Sequence, residues 1–192
     1  LTTVIACAFD HRTRMLPFIY ADTRMAPAGV RAIGAALLDA GFAKTRIVLQ
    51  QWNRNFRPSE MRLDGRVPDL FLVSSMQIHT TACKQLIRDA ARIDPAHRPL
   101  IIAGGPKTVY EPWDVFSADP RDPAGADLAV TGEEFVLLSL LERLLAAAVQ
   151  ADAALVGGER LFQAQFAMLH LLDQLLEGVE GGLEIGDGGG FG

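Results

Sequence analysis

Two clusters of small and polar residues carry the chemistry that this chain offers most plainly. Ser74-Ser75-Met76 follows the apolar run Leu70-Phe71-Leu72-Val73, and Gly104-Gly105-Pro106-Lys107-Thr108 follows Leu100-Ile101-Ile102-Ala103. Small residues after both runs leave room for something large, and a few polar ones can orient it. The glycine–lysine–threonine order also raises the question of phosphate binding. It lacks the upstream glycine of G-x-x-x-x-G-K-[ST], and Pro106 removes one backbone donor, so a Walker-type nucleotide site is not expected. No G-x-G-x-x-G follows any apolar run, which leaves out a dinucleotide fingerprint. The plain alternative is that the glycines only make a turn.

Other reactive side chains are scattered. Of the four histidines, His97 stands between Pro95 and Pro99 as a loop residue and His170 lies in an apolar helical stretch. His11 and His79 fall near strand ends, where they could touch a ligand. Only Asp10-His11 puts a histidine beside an acid, and neighbours on a loop seldom chelate one metal together. Cys7 and Cys83 lie in apolar segments and read as buried thiols rather than a disulfide. Two cysteines alone hold neither an iron–sulfur cluster nor a tetrahedral zinc, so no metal site is expected from the chain itself. Ser74 and Ser75 lack the G-x-S-x-G context of a nucleophile elbow. Thr131-Gly132-Glu133-Glu134 reads as a capping box in which Thr131 caps and Glu134 reaches back, a role that accounts for Glu134 without catalysis. Trp52, Phe56 and Trp113 either wall an apolar cleft or belong to local core.

The elements that must position these residues follow from periodicity. Short apolar runs bounded by turn signals predict buried strands at Val4–Phe9, Arg46–Leu49, 69–75, 99–104 and Asp127–Val130. Helices are expected over Ala28–Ala40, stopped by Gly41, over Thr80–Ile93, and from Thr131 to about Val149. The arginine-containing loop Asp10–Met25, with Arg12, Arg14 and Arg24, the polar loop Gln50–Pro68 and the connection Pro106–Gly125 are read as irregular. Strand–helix alternation predicts an α/β fold, a doubly wound, flavodoxin-like (Rossmann-like) parallel sheet of five strands in the order 2-1-3-4-5. In such a sheet ligands bind at the carboxyl ends of the strands, where both clusters lie.

Composition sets the outer limits. With 192 residues, 49% hydrophobic and 21% charged, the chain supports one core-forming domain plus an appendage. Residues 1–150 are read as that domain, and 151–192 as an apolar helix over 161–176 followed by a glycine- and acid-rich tail. A net charge of -5 argues against a nucleic-acid partner. No apolar stretch is long enough to span a membrane and no secretory signal is visible, so a cytoplasmic setting is the expectation. The start at Leu1 rather than Met suggests a piece of a longer protein. A receiver-like signalling domain is disfavoured, since it needs a phosphorylatable Asp where Ser74-Ser75 ends the third strand.

Taken together, residues 1–150 resemble the cobalamin (vitamin B12)-binding domain found at the front of many radical-SAM enzymes. Ser74-Ser75-Met76 is similar to the family's S-x-L with Met for Leu, and 27 residues separate Met76 from Gly104-Gly105. Gly29, separated from Ser74 by 44 residues, stands close to the spacing of the glycine in the family's D-x-H-x-x-G. The stretch Asp127-Leu128-Ala129-Val130-Thr131-Gly132-Glu133 is similar to D-x-V-V-x-G-E, and Pro27 to Gly41 to P-x-G-x-x-x-L-A-A-x-L-x-x-x-G. The resemblance implies a corrinoid whose nucleotide tail enters between the first and third strands. Gly29, Ser74, Ser75, Met76, Gly104, Gly105, Pro106, Thr131, Gly132 and Glu133 are the implied cofactor-binding residues. The motif's Asp and His positions hold Arg24 and Ala26, so cobalt would be base-off without a protein imidazole. The family's C-x-x-x-C-x-x-C motif does not occur here, which implies that S-adenosylmethionine and the 4Fe-4S cluster belong to a downstream radical-SAM domain. That domain is the expected partner, and this chain alone is not expected to catalyse. The competing expectation is a degenerate α/β module without cobalamin that serves protein–protein or interdomain contact.

Overall fold

The computed structural model describes residues 1–12, 27–117 and 124–154, with only the backbone described for 149–154. The readings for Arg14, Arg24, Met25, Ala26, His170, helix 161–176 and the tail fall outside the described residues. Leu1–Leu138 form one compact unit, and the segment that begins at Ser139 is separate from it.

Five strands form one parallel sheet: β1 (Thr2–Cys7), β2 (Lys44–Leu49), β3 (Leu70–Ser74), β4 (Leu100–Gly104) and β5 (Leu128–Ala129). Their order is β2-β1-β3-β4-β5, the flavodoxin-like arrangement expected from the alternation of elements. Each parallel pair requires a crossover. The connections contain α1 (Ala28–Asp39), α2 (Thr80–Ala90) and the short α3 (Pro106–Tyr110), and α4 (Glu134–Ala154) follows β5. Because the chain leaves β1 toward β2 and returns through β3 toward β5, the crevice beside the ends of β1 and β3 is the switch point.

The three central strands are apolar at nearly every position because the sheet is covered on both sides. Val4, Ala6, Phe71, Val73, Ile101 and Ala103 join one core with the buried stripe of α2, Ala82, Cys83, Leu86, Ile87 and Ala90. The stripe recurs every three to four residues, as one face of a helix requires. The opposite face carries Ile5, Leu72 and Ile102, all buried. There α1 approaches closely: a Cβ on Gly34 would stand 2.9 Å from the Cδ1 of Ile47. Helix α1 ends where predicted. Gly41 adopts φ 92°, and the Phe42 amide donates to the Leu37 carbonyl at 2.9 Å, closing the terminal turn.

Several boundaries differ from the expectation: β1 ends at Cys7 rather than Phe9, β2 begins at Lys44 rather than Arg46, β5 holds only Leu128–Ala129 and α2 stops at Ala90 rather than Ile93. Three further differences have identifiable reasons. Strand β1 begins at Thr2 rather than Val4, since the Asp69 carboxylate accepts from the Thr2 amide at 2.6 Å and from its hydroxyl at 2.9 Å. That pairing lets Thr2 enter the sheet, while the buried Thr3 hydroxyl has no such partner. Helix α4 begins at Glu134, so Thr131 stands three residues ahead of it and does not fill the capping-box role. The connection after β4 is not irregular throughout: it holds α3 and a 3-10 turn at Pro112–Val115.

The two aromatic environments give a direct test of this core. Phe71 is fully buried in the central strand, whereas Trp113 is 71% exposed. Phe71→Ala is expected to cost about 3–5 kcal/mol in chemical denaturation. Trp113→Ala is expected to change stability by less than about 0.5 kcal/mol.

Candidate binding site

Parallel pairing lines up Cys7, Ser74 and Gly104 across the carboxyl edge of the sheet. Beyond that edge the loops after β3 and β4 are laced together. The Ser75 amide donates to the Gly104 carbonyl at 3.2 Å, and the Lys107 amide donates to the Ser75 carbonyl at 2.9 Å. Gly105 makes this approach possible. It adopts φ 85°, and a Cβ there would stand 2.8 Å from Ser74 Oγ and 3.0 Å from the Ser75 carbonyl. The buried Thr108 hydroxyl then reaches the Gly105 carbonyl at 2.9 Å and the Val130 carbonyl at 3.0 Å, tying the end of β5 to the same knot.

On the α1 side of these loops lies a cavity of about 390 Å³. That volume falls within the usual range for small-molecule sites, about 300–1,000 Å³. Its floor is the sheet, with Ile5, Leu72 and Ile102. Its walls come from Gly29, Ala32 and Ile33 of α1, from Val109 and Tyr110 of α3, and from Leu137 near the start of α4. Ser74, Gly104, Gly105, Pro106, Gly132 and Glu133, all expected from sequence as ligand-contacting residues, are brought together here. A Cβ at Gly29 would meet nothing within 4 Å, and one at Gly104 only the Val130 carbonyl at 3.9 Å. Both therefore leave space that a larger residue would occupy.

Three expected site residues are not in the lining, and their geometry says why. The Ser75 side chain is buried in the laced loop, its hydroxyl donating to the Met76 carbonyl at 2.9 Å. Met76 is exposed, and Thr131 is exposed beyond the lining residues Val130 and Gly132. The aromatic wall is different too: Trp52 and Trp113 are exposed outside the cavity, and Phe56 packs against Phe71 at 6.4 Å between ring centroids. Tyr110 and Val109 replace them. The short turn of α3 gave the sequence reading too few residues to show a periodicity.

No family model, curated protein or solved structure matches this chain. The site must be read from its own chemistry.

Lys107, the lysine of the phosphate-like cluster, does not face a ligand. It is buried, with Nζ 2.6 Å from Asp114 Oδ2 and also paired with Glu111, while Asp114 pairs in turn with Lys84. Burial works against the Lys107 ammonium, but the Asp114 and Glu111 carboxylates outweigh it and raise its pKa above the ordinary lysine value. The hydrogen bonds from Lys107 and Lys84 hold Asp114 below the usual carboxylate range. Cys7 and Cys83 are free thiols whose burial pushes them up to about 11, so neither is a nucleophile at neutral pH.

His11, His79 and His97 lie apart from the cavity. His79 is buried, its Nδ1 accepting from the Asp10 amide at 3.1 Å, and its ring stands 4.7 Å from that of Phe9. Burial lowers the His79 pKa, which agrees with an accepting, neutral ring. Its neighbour Asp10 is held down at about 2 by its hydrogen bonds with Arg12. Among the described residues, no three His, Cys, Asp or Glu side chains converge as metal ligands. The arrangement is that of a binding pocket: an apolar interior, a few polar groups at its edge and no activated nucleophile.

The Lys107 cluster predicts a pH dependence. A lowered Asp114 pKa contributes stability that is present above the ordinary aspartate value of about 4 and is lost as pH falls through its folded value. Asp114→Asn is expected to destabilise the chain by about 1–3 kcal/mol at neutral pH. The gap to the parent should shrink below pH of about 4. Unfolding curves at both pH values check this, and an unchanged gap contradicts it.

Proposed function

We propose that this chain is the cobalamin-binding module of a cobalamin-dependent radical-SAM enzyme, taking the corrinoid base-off without a protein imidazole on cobalt. The observation that carries this reading is the cavity at the carboxyl ends of β3 and β4, with Gly29, Ser74, Gly104, Gly105 and Gly132 in its lining. The donor set fits the nucleotide tail of such a cofactor. Its planar base needs apolar walls, which Ile33, Val109 and Leu137 supply, and a close approach to backbone, which Gly104 permits. Ser74 and Tyr110 offer hydroxyls that can orient it. Ala26, standing where the family pattern has histidine, offers no lone pair to cobalt.

When bound, the corrinoid supplies cobalt-centred methyl transfer or a related radical reaction, and that chemistry is the cofactor's own. The chain's residues bind and orient the tail and keep water from its base. S-adenosylmethionine and a 4Fe-4S cluster would be held by a downstream domain, the proposed partner. A second reading is favoured by one observation: Tyr110, Trp113 and Phe116 are exposed along the segment after β4. Such a surface suits a module that contacts another protein or domain and holds no cofactor.

Incubation of the full chain with hydroxocobalamin, followed by desalting and a visible spectrum, separates the two. Retained cobalamin with a base-off spectrum is the expected result, and a colourless protein overturns the proposal. Gly104→Ala, whose Cβ would meet only the Val130 carbonyl at 3.9 Å, is expected to weaken retention at least about tenfold. Its thermal unfolding midpoint should stay near that of the parent.

A further inference from the structure

The walls of the cavity are not all held in the same way. Ile5, Leu72 and Ile102 on its floor are buried, and so is Leu137 of α4. Helix α1 is anchored behind its lining residues by the buried Val30 and Leu37. The α3 wall differs: Val109 is 52% exposed and Tyr110 65% exposed. Apolar contact fixes a side chain in proportion to the area it buries, so packing constrains these two only weakly. Another interaction has to set where they stand.

The ion cluster brackets them in the chain, Lys107 on one side and Asp114 on the other. The Lys107 Nζ stands 2.6 Å from Asp114 Oδ2, and the second carboxylate oxygen of Asp114, Oδ1, accepts from the Lys84 ammonium. Lys84 belongs to α2, whose Cys83, Leu86 and Ile87 are buried in the core. Glu111 also pairs with Lys107, but it is half-exposed and belongs to the same segment, so the tie to α2 runs through Asp114. We propose that Asp114 is a positioning residue for the cavity: by joining Lys107 to Lys84 it holds Val109 and Tyr110 in place as a wall. Ligand affinity then depends on Asp114, although neither it nor Lys107 is a lining residue. An amide in its place cannot neutralise two ammonium groups, so the segment separates from α2 and carries Val109 and Tyr110 with it. The identity of the ligand rests on the corrinoid reading; the position of the wall does not.

The chain has two tyrosines, Tyr20 and Tyr110, so the full chain with Tyr20→Phe, labelled with 3-fluorotyrosine, gives the fluorine NMR resonance of Tyr110 alone. In Asp114→Asn this resonance is expected to shift. The dissociation constant for hydroxocobalamin, read by visible titration, should rise at least about fivefold. Asp114→Glu, which keeps the carboxylate, should restore most of both. Val4→Ala, a core truncation in β1 that lowers stability without removing a charge, should leave both unchanged. If Asp114→Asn unfolds, Lys84→Met removes only the α2 end of the tie, from a half-buried side chain, and should produce the same two changes in smaller measure. A Tyr110 resonance that stays in place when the tie is cut, or that moves equally in Val4→Ala, overturns the proposal. A moved resonance with unchanged hydroxocobalamin affinity overturns the link from wall to binding. If the parent binds no hydroxocobalamin while its resonance follows Asp114, the corrinoid reading fails and the positioning of the wall stands.

Discussion

The strand-end geometry depends on keeping the Lys107 ammonium charged in a place that water does not reach. An unpaired buried ammonium would be driven to neutrality, and the Asp114 and Glu111 carboxylates prevent that. Their positions four and seven residues on place all three charges on one side of the segment after β4. With Lys107 fixed there, its amide can meet the Ser75 carbonyl and Thr108 can bridge Gly105 and Val130. The opposite side of the same short helix is left to present Val109 and Tyr110 to the cavity. A structural ion cluster on one side thus shapes a ligand-sized space on the other.

Much of this was legible in the residues. The runs at Leu70 and Leu100 identify strands because burial on both faces leaves no place for polar residues, and Gly41 marks the end of α1 because its φ of 92° suits glycine best. Strand β1 was misjudged by two residues because Thr2 is made acceptable by Asp69, a partner 67 positions away that no local pattern reveals. Ser74 and Ser75 look equivalent in sequence, yet alternation along an extended chain sends them to different environments. Lys107 invited a phosphate reading since its type fits that motif. The acids at Glu111 and Asp114 were the available signal against it, being spaced as helical neighbours of a lysine.

The cavity combines two demands that rarely coincide. Small residues must line it for a ligand to enter, yet Gly105 is required by its own backbone and by the crowding of Ser74 and Ser75. Gly29 and Gly104 meet no such crowding, so the protein's own packing does not explain them. That contrast distinguishes glycines that serve the chain from glycines that leave room for something else. It also makes Gly29 and Gly104 the informative positions for substitution.

The two outer strands have a bearing on how the chain behaves at high concentration. A parallel sheet open at both sides offers unpaired backbone groups to any passing strand. Here β5 contributes only Leu128 and Ala129, too short a template to recruit another chain. On the other border, β2 carries the exposed Arg46 and the Asp64-paired Lys44, charged side chains that an approaching strand would have to accommodate. The sheet thus carries its own protection against edge-to-edge aggregation, built from brevity on one border and charge on the other.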